Sequence, residues 1–260
     1  MYQEARPKVS VFILTWNCID VLSDSFEHIY YEVESLNGQL VIVDNGSTDE
    51  TERFLNRQIA DGRIFKSYRF KENAGISRGK NKGIEMSDGE NIIMIDGDID
   101  PVHNSLTKLV EYMDGHKECS ALGFYPEQWT RDRNRGGQKN HEEFCNTLWN
   151  PKPINRCCIY YGIFRRKMFD DGLRLNEEGE FGKPGYGWED FDFLERMNAM
   201  GITQYVAGMN TENGKYYHKI NSSIRAMGRQ KYIDTSKARH EEFHRIWKKK
   251  LIGILNPSST

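Results

Sequence analysis

Strand-like and helix-like segments alternate through the first hundred residues, and that alternation leaves few folds open. "KVSVFILTW" is rich in β-branched residues and reads as a strand, and Asp20 to Ser35 carries apolar residues at helical spacing. "QLVIVD" is a second, short buried strand; in the "NGSTDETERFLNRQIAD" that follows, Ser47 or Thr48 is positioned to cap a helix with an acidic first turn. "RIFKSYRF" reads as a third strand, Ile76 to Met86 as a helix and "NIIMID" as a fourth strand. Strands separated by helices predict right-handed βαβ units and an α/β fold around a mostly parallel sheet.

In such sheets ligands gather where the strands end. Three strands here end in polar groups: Thr15-Trp16-Asn17, Asp44-Asn45-Gly46 and Asp96-Gly97-Asp98. The last continues to Asp100, so three carboxylates stand two residues apart, on one face if the chain stays extended. Two carboxylates about 6 Å apart at an effective dielectric near 20 repel by about 3 kcal/mol. A cation or a hydrogen-bonding ligand between them is the expected remedy, and hard oxygen donors favour Mg²⁺ or Mn²⁺ completed by substrate phosphates.

Beyond Pro101 the pattern loosens. Asn104 to Gly115 reads as a helix, "SALGFY" as a strand, "WEDFDFLERMNAMG" as a helix ending near Gly201, and His240 to Leu251 as a basic amphipathic helix packing through Phe243, Ile246 and Trp247. Residues 126–153 are polar and aperiodic and are expected to be mobile and near the site. The chain is read as one catalytic domain over residues 1–218, with a binding half at 8–100 and a second half at 101–218. A basic helical extension follows at 219–260.

Composition narrows the class. With 38% hydrophobic and 28% charged residues the chain reads as globular. No apolar run approaches eighteen residues, so no transmembrane anchor is expected. Five cysteines without a CxxC pair and an N-terminus lacking a signal pattern suit a reducing, cytoplasmic setting. Net charge is −2, yet Arg131, Arg133, Arg135 and Lys139 cluster around Trp129's neighbourhood, and eleven Lys and Arg fall between Lys215 and Lys250. Solvated helix faces are the ordinary explanation, and an anionic partner is the sharper one.

Several motifs fail. An EF-hand starting at Asp96 meets Pro101 where glycine is needed and Thr107 where glutamate is needed. "GISRGKN" is a residue short of a phosphate loop and has Asn81 in place of Ser or Thr. Neither GxSxG nor GxGxxG occurs, so serine-hydrolase and dinucleotide readings fail. "GYGWEDFDF" remains, with Glu189, Asp190 and Asp192 at a helix start behind Trp188. Acids complementing a helix dipole explain part of it. A carboxylate beside an aromatic plate also suits the seating of a sugar ring and the deprotonation of its hydroxyl.

Taken in order, "VSVFILTWN", "VIVDNGSTDET", "NAGISRGKNKG", "IIMIDGDID" and "GYGWEDFDF" resemble the motifs of family 2-like glycosyltransferases with the GT-A fold, from about Val9 to Ser223. The resemblance implies a Rossmann-like three-layer sandwich and a divalent-metal-dependent, inverting transfer from a UDP-sugar. By it, Thr15 and Trp16 line the base pocket and Asp44 accepts a hydrogen bond from uracil. Asp96 and Asp98 match the DxD motif, Asp96 facing the ribose and metal and Asp98 ligating the metal, and His218 matches a histidine that completes the coordination. Asp190 matches the general base, with Trp188 and Glu189 shaping the acceptor pocket. Where the family usually has Arg-Asn this chain has Lys80-Asn81; lysine keeps a point charge for phosphate but loses the fork, and Arg78 is placed to compensate. The acceptor is left open among a glycan, a protein and a hydroxylated base in DNA. A nucleotide-sugar-binding protein without transfer activity and a nucleotidyltransferase are the competing readings.

Overall fold

The computed structural model describes residues 6–124, 151–154, 157, 159–185, 187–207, 217–218 and 227–255. Most of the segment 126–153, with Trp129 and the four basic residues from Arg131 to Lys139, lies outside the described residues, as do Ser222 and Ser223. In chain order the first half contains β1 (Val9–Thr15), α1 (Ile19–Ser35), β2 (Gln39–Asp44), α2 (Thr51–Ala60), β3 (Lys66–Arg69), α3 (Ile76–Met86) and β4 (Asn91–Asp96). It continues with β5 (Ile99–Asp100), α4 (Ser105–Gly115), β6 (Ala121–Phe124), β7 (Lys152–Ile154), β8 (Tyr161–Arg165) and α5 (Arg166–Asp170). A further helix α6 (Glu189–Ala199), strands β9 (Gln204–Ala207) and β10 (Tyr217–His218), and a long helix α7 (Arg229–Leu255) complete it.

The large sheet runs β3-β2-β1-β4-β8-β6-β9-β7. Its first four strands are parallel, as the alternation of strand and helix predicts, and β8 turns against both β4 and β6. After β3 the chain crosses back to the far side of β1, so a topological switch point lies between β1 and β4. Ligands bind at such points because the diverging connections leave a crevice. There Thr15 pairs with Asp44 and Leu14 with Asp96, which puts the three polar strand ends side by side on one rim.

Both faces of the sheet are covered, and for that reason its strands read as continuous apolar runs. Val11 and Ile13 face the layer of α1 and α4 with Phe26, Ile29 and Leu109. Phe12 and Leu14 face the opposite layer with Ile84, Phe169 and Phe193. Here α3 lies flat on β1: a Cβ at Gly79 would stand 2.5 Å from Leu14 Cδ1, and one at Gly83 2.5 Å from Phe12 Cδ2. That close approach carries Lys80, which lies between the two glycines, into the interior.

Gly83→Ala therefore sets two effects against each other. Alanine gains about 1 kcal/mol of helix propensity over glycine, while forcing a methyl into a packed site costs about 1–3 kcal/mol. Because the clash is with a fully buried ring, the second term is expected to win, with a net loss of about 1 kcal/mol in urea denaturation; unchanged or higher stability would mean that α3 is free to slide.

The start of α2 departs from expectation. Neither Ser47 nor Thr48 caps it: Ser47 Oγ accepts from the Asn17 N–H and the Thr48 N–H donates to Asn17 Oδ1. The Asp49 carboxylate instead takes the Thr51 N–H at 3.1 Å and the Thr51 hydroxyl at 2.5 Å. The earlier residues are drawn off by the loop after β1, which needs them to tie its own turn. Among the described residues no helix is long and apolar enough to cross a membrane, and Cys18, Cys119 and Cys157 are buried.

Candidate functional site

At the rim of β1 and β2 the expected base-pocket residues are neighbours with different exposures. Trp16 is half-buried, whereas Thr15 is buried beneath Gly97, where an added Cβ would lie 2.7 Å from its Oγ1. That hydroxyl has no hydrogen-bond partner. Asp44 is 1% exposed and already engaged: Oδ1 accepts from the Ser47 N–H and Oδ2 from Arg69 Nε, each at 2.9 Å. Its carboxylate thus supports the loop below the pocket from within. Arg69, at the end of β3, went unnoticed in the sequence; a charged residue closing an edge strand gives no signal of its partner.

The end of β4 holds the acidic run. Asp96, Asp98 and Asp100 are all half-buried. Lys80 is 2% exposed, and its ammonium donates to Asp96 Oδ1 at 2.6 Å and to the Ile159 carbonyl at 3.0 Å. These are single contacts, for which the fork of an arginine is not required. Asn81 faces elsewhere, accepting from the Leu175 N–H and donating to the Leu175 carbonyl and to Glu177. Arg78 is exposed on the rim, 3.6 Å from Glu177.

Asp100, whose role the sequence left open, has an identifiable partner. His28 Nε2 of α1 lies 2.6 Å from Asp100 Oδ1. The pair anchors β5 to α1 directly behind the DxD turn. Strand β10 lies antiparallel on β5, with Tyr217 opposite Asp100 and His218 opposite Ile99. The backbone at His218 therefore runs beside the acidic turn, although the two lie far apart in the sequence. Among the described residues no three His, Cys, Asp or Glu side chains gather as a complete metal cage.

The third constellation begins with two left-handed residues, Gly187 (φ 97°) and Trp188 (φ 70°), which turn the chain sharply into α6. A tryptophan in that region is strained and persists only where its surroundings hold it. They do: the ring packs against Phe191, Phe243 and His240, with centroids 5.0, 5.3 and 4.5 Å away. His240 and His244 are exposed beside it.

Of the three acids, two are bound to the protein. Asp192 is fully buried, accepting from Arg196 Nε at 2.6 Å and Trp247 Nε1 at 3.0 Å. Glu189, expected to shape an acceptor pocket, is buried with its carboxylate 2.8 Å from Arg239 Nη1. Asp190 stays half-exposed and accepts the N–H of Phe191 at 2.9 Å. Its carboxyl is pushed up to about 7, first by the protein that strips its hydration and then by the Glu189 charge. The Phe191 N–H and the Lys80 ammonium pull the other way. The Lys80 charge thus acts on Asp190 while its ammonium touches Asp96.

Sequence reasoning missed Arg239, and it expected Trp247 to pack but not to bond Asp192. Both come from α7, which had been taken as a basic extension. The signal was present: Arg239 lies four residues before Phe243 and eight before Trp247, on the helix's apolar face rather than its solvated one.

Comparison with known proteins gives the following. The model of glycosyl transferase family 2 matches residues 10–173. An uncharacterized glycosyltransferase of Rickettsia bellii is 30% identical over 178 residues, covering 66% of this chain and 25% of that protein. The chain thus spans about a quarter of that relative's length. Among solved structures, S. aureus TarS 1-349 in complex with UDP superposes with a TM-score of 0.58 at 17% identity, over 81% of this chain and 59% of that one. Mannosyltransferase PcManGT from Pyrobaculum calidifontis, in complex with GDP-Man and Mn²⁺, gives 0.57 at 16% identity over 93% and 70%. These likenesses show the fold, the GT-A-type sandwich expected from the motifs.

Proposed function

Since this chain belongs to glycosyl transferase family 2, we propose that it moves a sugar from a UDP-sugar to an acceptor hydroxyl with inversion, Asp190 acting as general base. The observation that carries the reading is the junction at Lys80: one buried ammonium contacts the DxD aspartate and acts on the carboxylate of the WED element. Donor chemistry and acceptor chemistry need that adjacency, and neither a binding protein nor a nucleotidyltransferase has a use for it.

In this reading Trp16 stacks on the base, with Thr15 and Asp44 forming the wall behind it. Half-buried Asp96 and Asp98, with His218, are the oxygen and nitrogen donors that suit Mn²⁺ or Mg²⁺. When bound with the nucleotide sugar, such an ion supplies positive charge to the departing diphosphate. Lys80 balances Asp96 beforehand and then adds its charge toward phosphate, as does Arg78 from the rim. Trp188 offers its face to the acceptor ring, and Glu189 contributes from within through its pairing with Arg239. Asp190 takes the proton of the acceptor hydroxyl as that oxygen forms its bond to the sugar's anomeric carbon. The bond from that carbon to the diphosphate oxygen breaks on the opposite side, so the configuration inverts. UDP in one structural neighbour and Mn²⁺ with a nucleotide sugar in another support a metal-assisted nucleotide-sugar donor here. The acceptor is a hydroxyl on a glycan, a protein or a modified DNA base.

Calorimetric titration of UDP with and without Mn²⁺ tests the donor half. Binding is expected with the ion and is expected to fall at least about tenfold, or about 1.4 kcal/mol, in Asp98→Ala. Equal binding by Asp98→Ala and wild type would remove the metal assignment, and absence of UDP binding under both conditions would point to another nucleotide.

A further inference from the structure

Among the described residues Arg239 is a buried charge with several partners outside the donor rim. Its guanidinium is 1% exposed and reaches four groups of one segment. Nε donates to the Glu180 carbonyl at 3.1 Å and Nη2 to the Lys183 carbonyl at 2.8 Å. Nη1 donates to the Glu189 carboxylate at 2.8 Å and more weakly to the Gly187 carbonyl at 3.5 Å. Only an arginine has enough donors, in a planar fork, to serve all four. The helix is fitted to the same segment elsewhere: added Cβ atoms at Gly185 and Gly187 would lie 3.0 Å from Thr235 Cβ and Ser236 Oγ.

We propose that Arg239 is a positioning residue for Asp190: it holds the Gly187–Trp188 turn that aims the carboxylate and cancels the charge of its neighbour Glu189. This rests on the base role proposed above. Two adjacent carboxylates in a poorly hydrated cleft resist ionising together. A base must be ionised to accept a proton, so Glu189 without its partner would disable Asp190 at neutral pH. With Arg239 2.8 Å from its carboxylate, the Glu189 charge is offset in part, and Lys80 pulls toward ionised Asp190.

The charged groups around Asp190 come from four elements: Glu189 on α6, Lys80 on α3 with Asp96 of β4 behind it, and Tyr232 and Arg239 on α7. The phenol of Tyr232 is pushed up by burial and then by the Glu189 and Asp190 charges. His240 and His244 lie on the other side of Trp188.

The test follows the Asp190 carboxyl itself by ¹³C NMR in protein labelled at the aspartate side chains, its resonance identified by loss in Asp190→Asn. Glu189→Gln is expected to lower the titration midpoint by about one pH unit, because Arg239 then faces Asp190 unopposed. Arg239→Met is expected to raise it by about one unit, and the double variant to return it toward wild type. The acidic limb of kcat should shift in the same order. A midpoint that stays put in Glu189→Gln overturns the proposal, and that variant decides the matter even if Arg239→Met does not fold. No substrate is needed, so the two readings fail separately. Expected shifts with a fully active Asp190→Asn would remove the base role alone, and unmoved shifts with an inactive Asp190→Asn would remove the clamp alone.

Discussion

Asp190→Asn is expected to lower sugar transfer by about 10²–10⁴-fold, the usual contribution of a positioned base, while UDP with Mn²⁺ binds as in the wild type. The side chains are nearly equal in size, and the Phe191 N–H that Asp190 accepts can still be accepted by the Asn oxygen. A parallel loss of donor binding would argue against a base and for a role in the nucleotide site. In the wild type, transfer should climb as pH rises through about 7, where the carboxyl ionises. The same substitution has a second signature. A carboxyl raised from 3.8 to about 7 binds its proton more tightly folded than unfolded. The stability linked to that proton is present in full below about pH 4 and is lost as pH rises through 7. Asparagine does not titrate, so a thermal melt should show Asp190→Asn gaining on the wild type across that window, by about 2–4 °C for each kcal/mol. A stability gain bought by removing activity is the usual mark of a functional group held against its preference.

Lys80→Met is expected to damage fold and donor binding together. The ammonium is 2% exposed, and its removal takes the Lys80 charge from Asp96 and the Lys80 donor from the Ile159 carbonyl. Stripping one partner from a buried ion pair costs about 3–5 kcal/mol. Asp96 keeps 30% of its exposure, so water recovers part of the loss and about 1–3 kcal/mol is expected in urea denaturation. UDP affinity in Mn²⁺ should drop at least about tenfold with the lost phosphate charge, and the acidic limb of transfer should move to higher pH because Lys80 favours ionised Asp190. Wild-type UDP binding in a folded Lys80→Met would remove Lys80 from the donor site.

The β1, β2 and β4 strands were legible because each is a short apolar block ended by polar residues, and both faces of the sheet are covered. The meeting of Thr15, Asp44 and Asp96 on one rim followed from the strand-end rule. What escaped was pairing across distance. Asp49 rather than Ser47 or Thr48 serves α2, because the neighbouring loop claims the other two. Asp44 turns to Arg69, Asp100 to His28 and Glu189 to Arg239, over 25, 72 and 50 residues. A charged side chain carries no trace in sequence of which opposite charge it meets. Periodicity did hold a hint for Arg239, since it falls on the apolar face of its helix, but a count of basic residues hid it.

The Arg239–Glu189 contact has a consequence for how the protein is made. Synthesis at about 5–20 residues per second delivers Glu189 seconds before Arg239, which follows 50 residues later. The four parallel strands, complete by Asp96, are available for early assembly. Until then Glu189 has no Arg239 to meet. On the ribosome the four parallel strands are therefore complete before the Glu189–Arg239 contact can form. Docking of α7 is then the event that completes the corner proposed to hold the base.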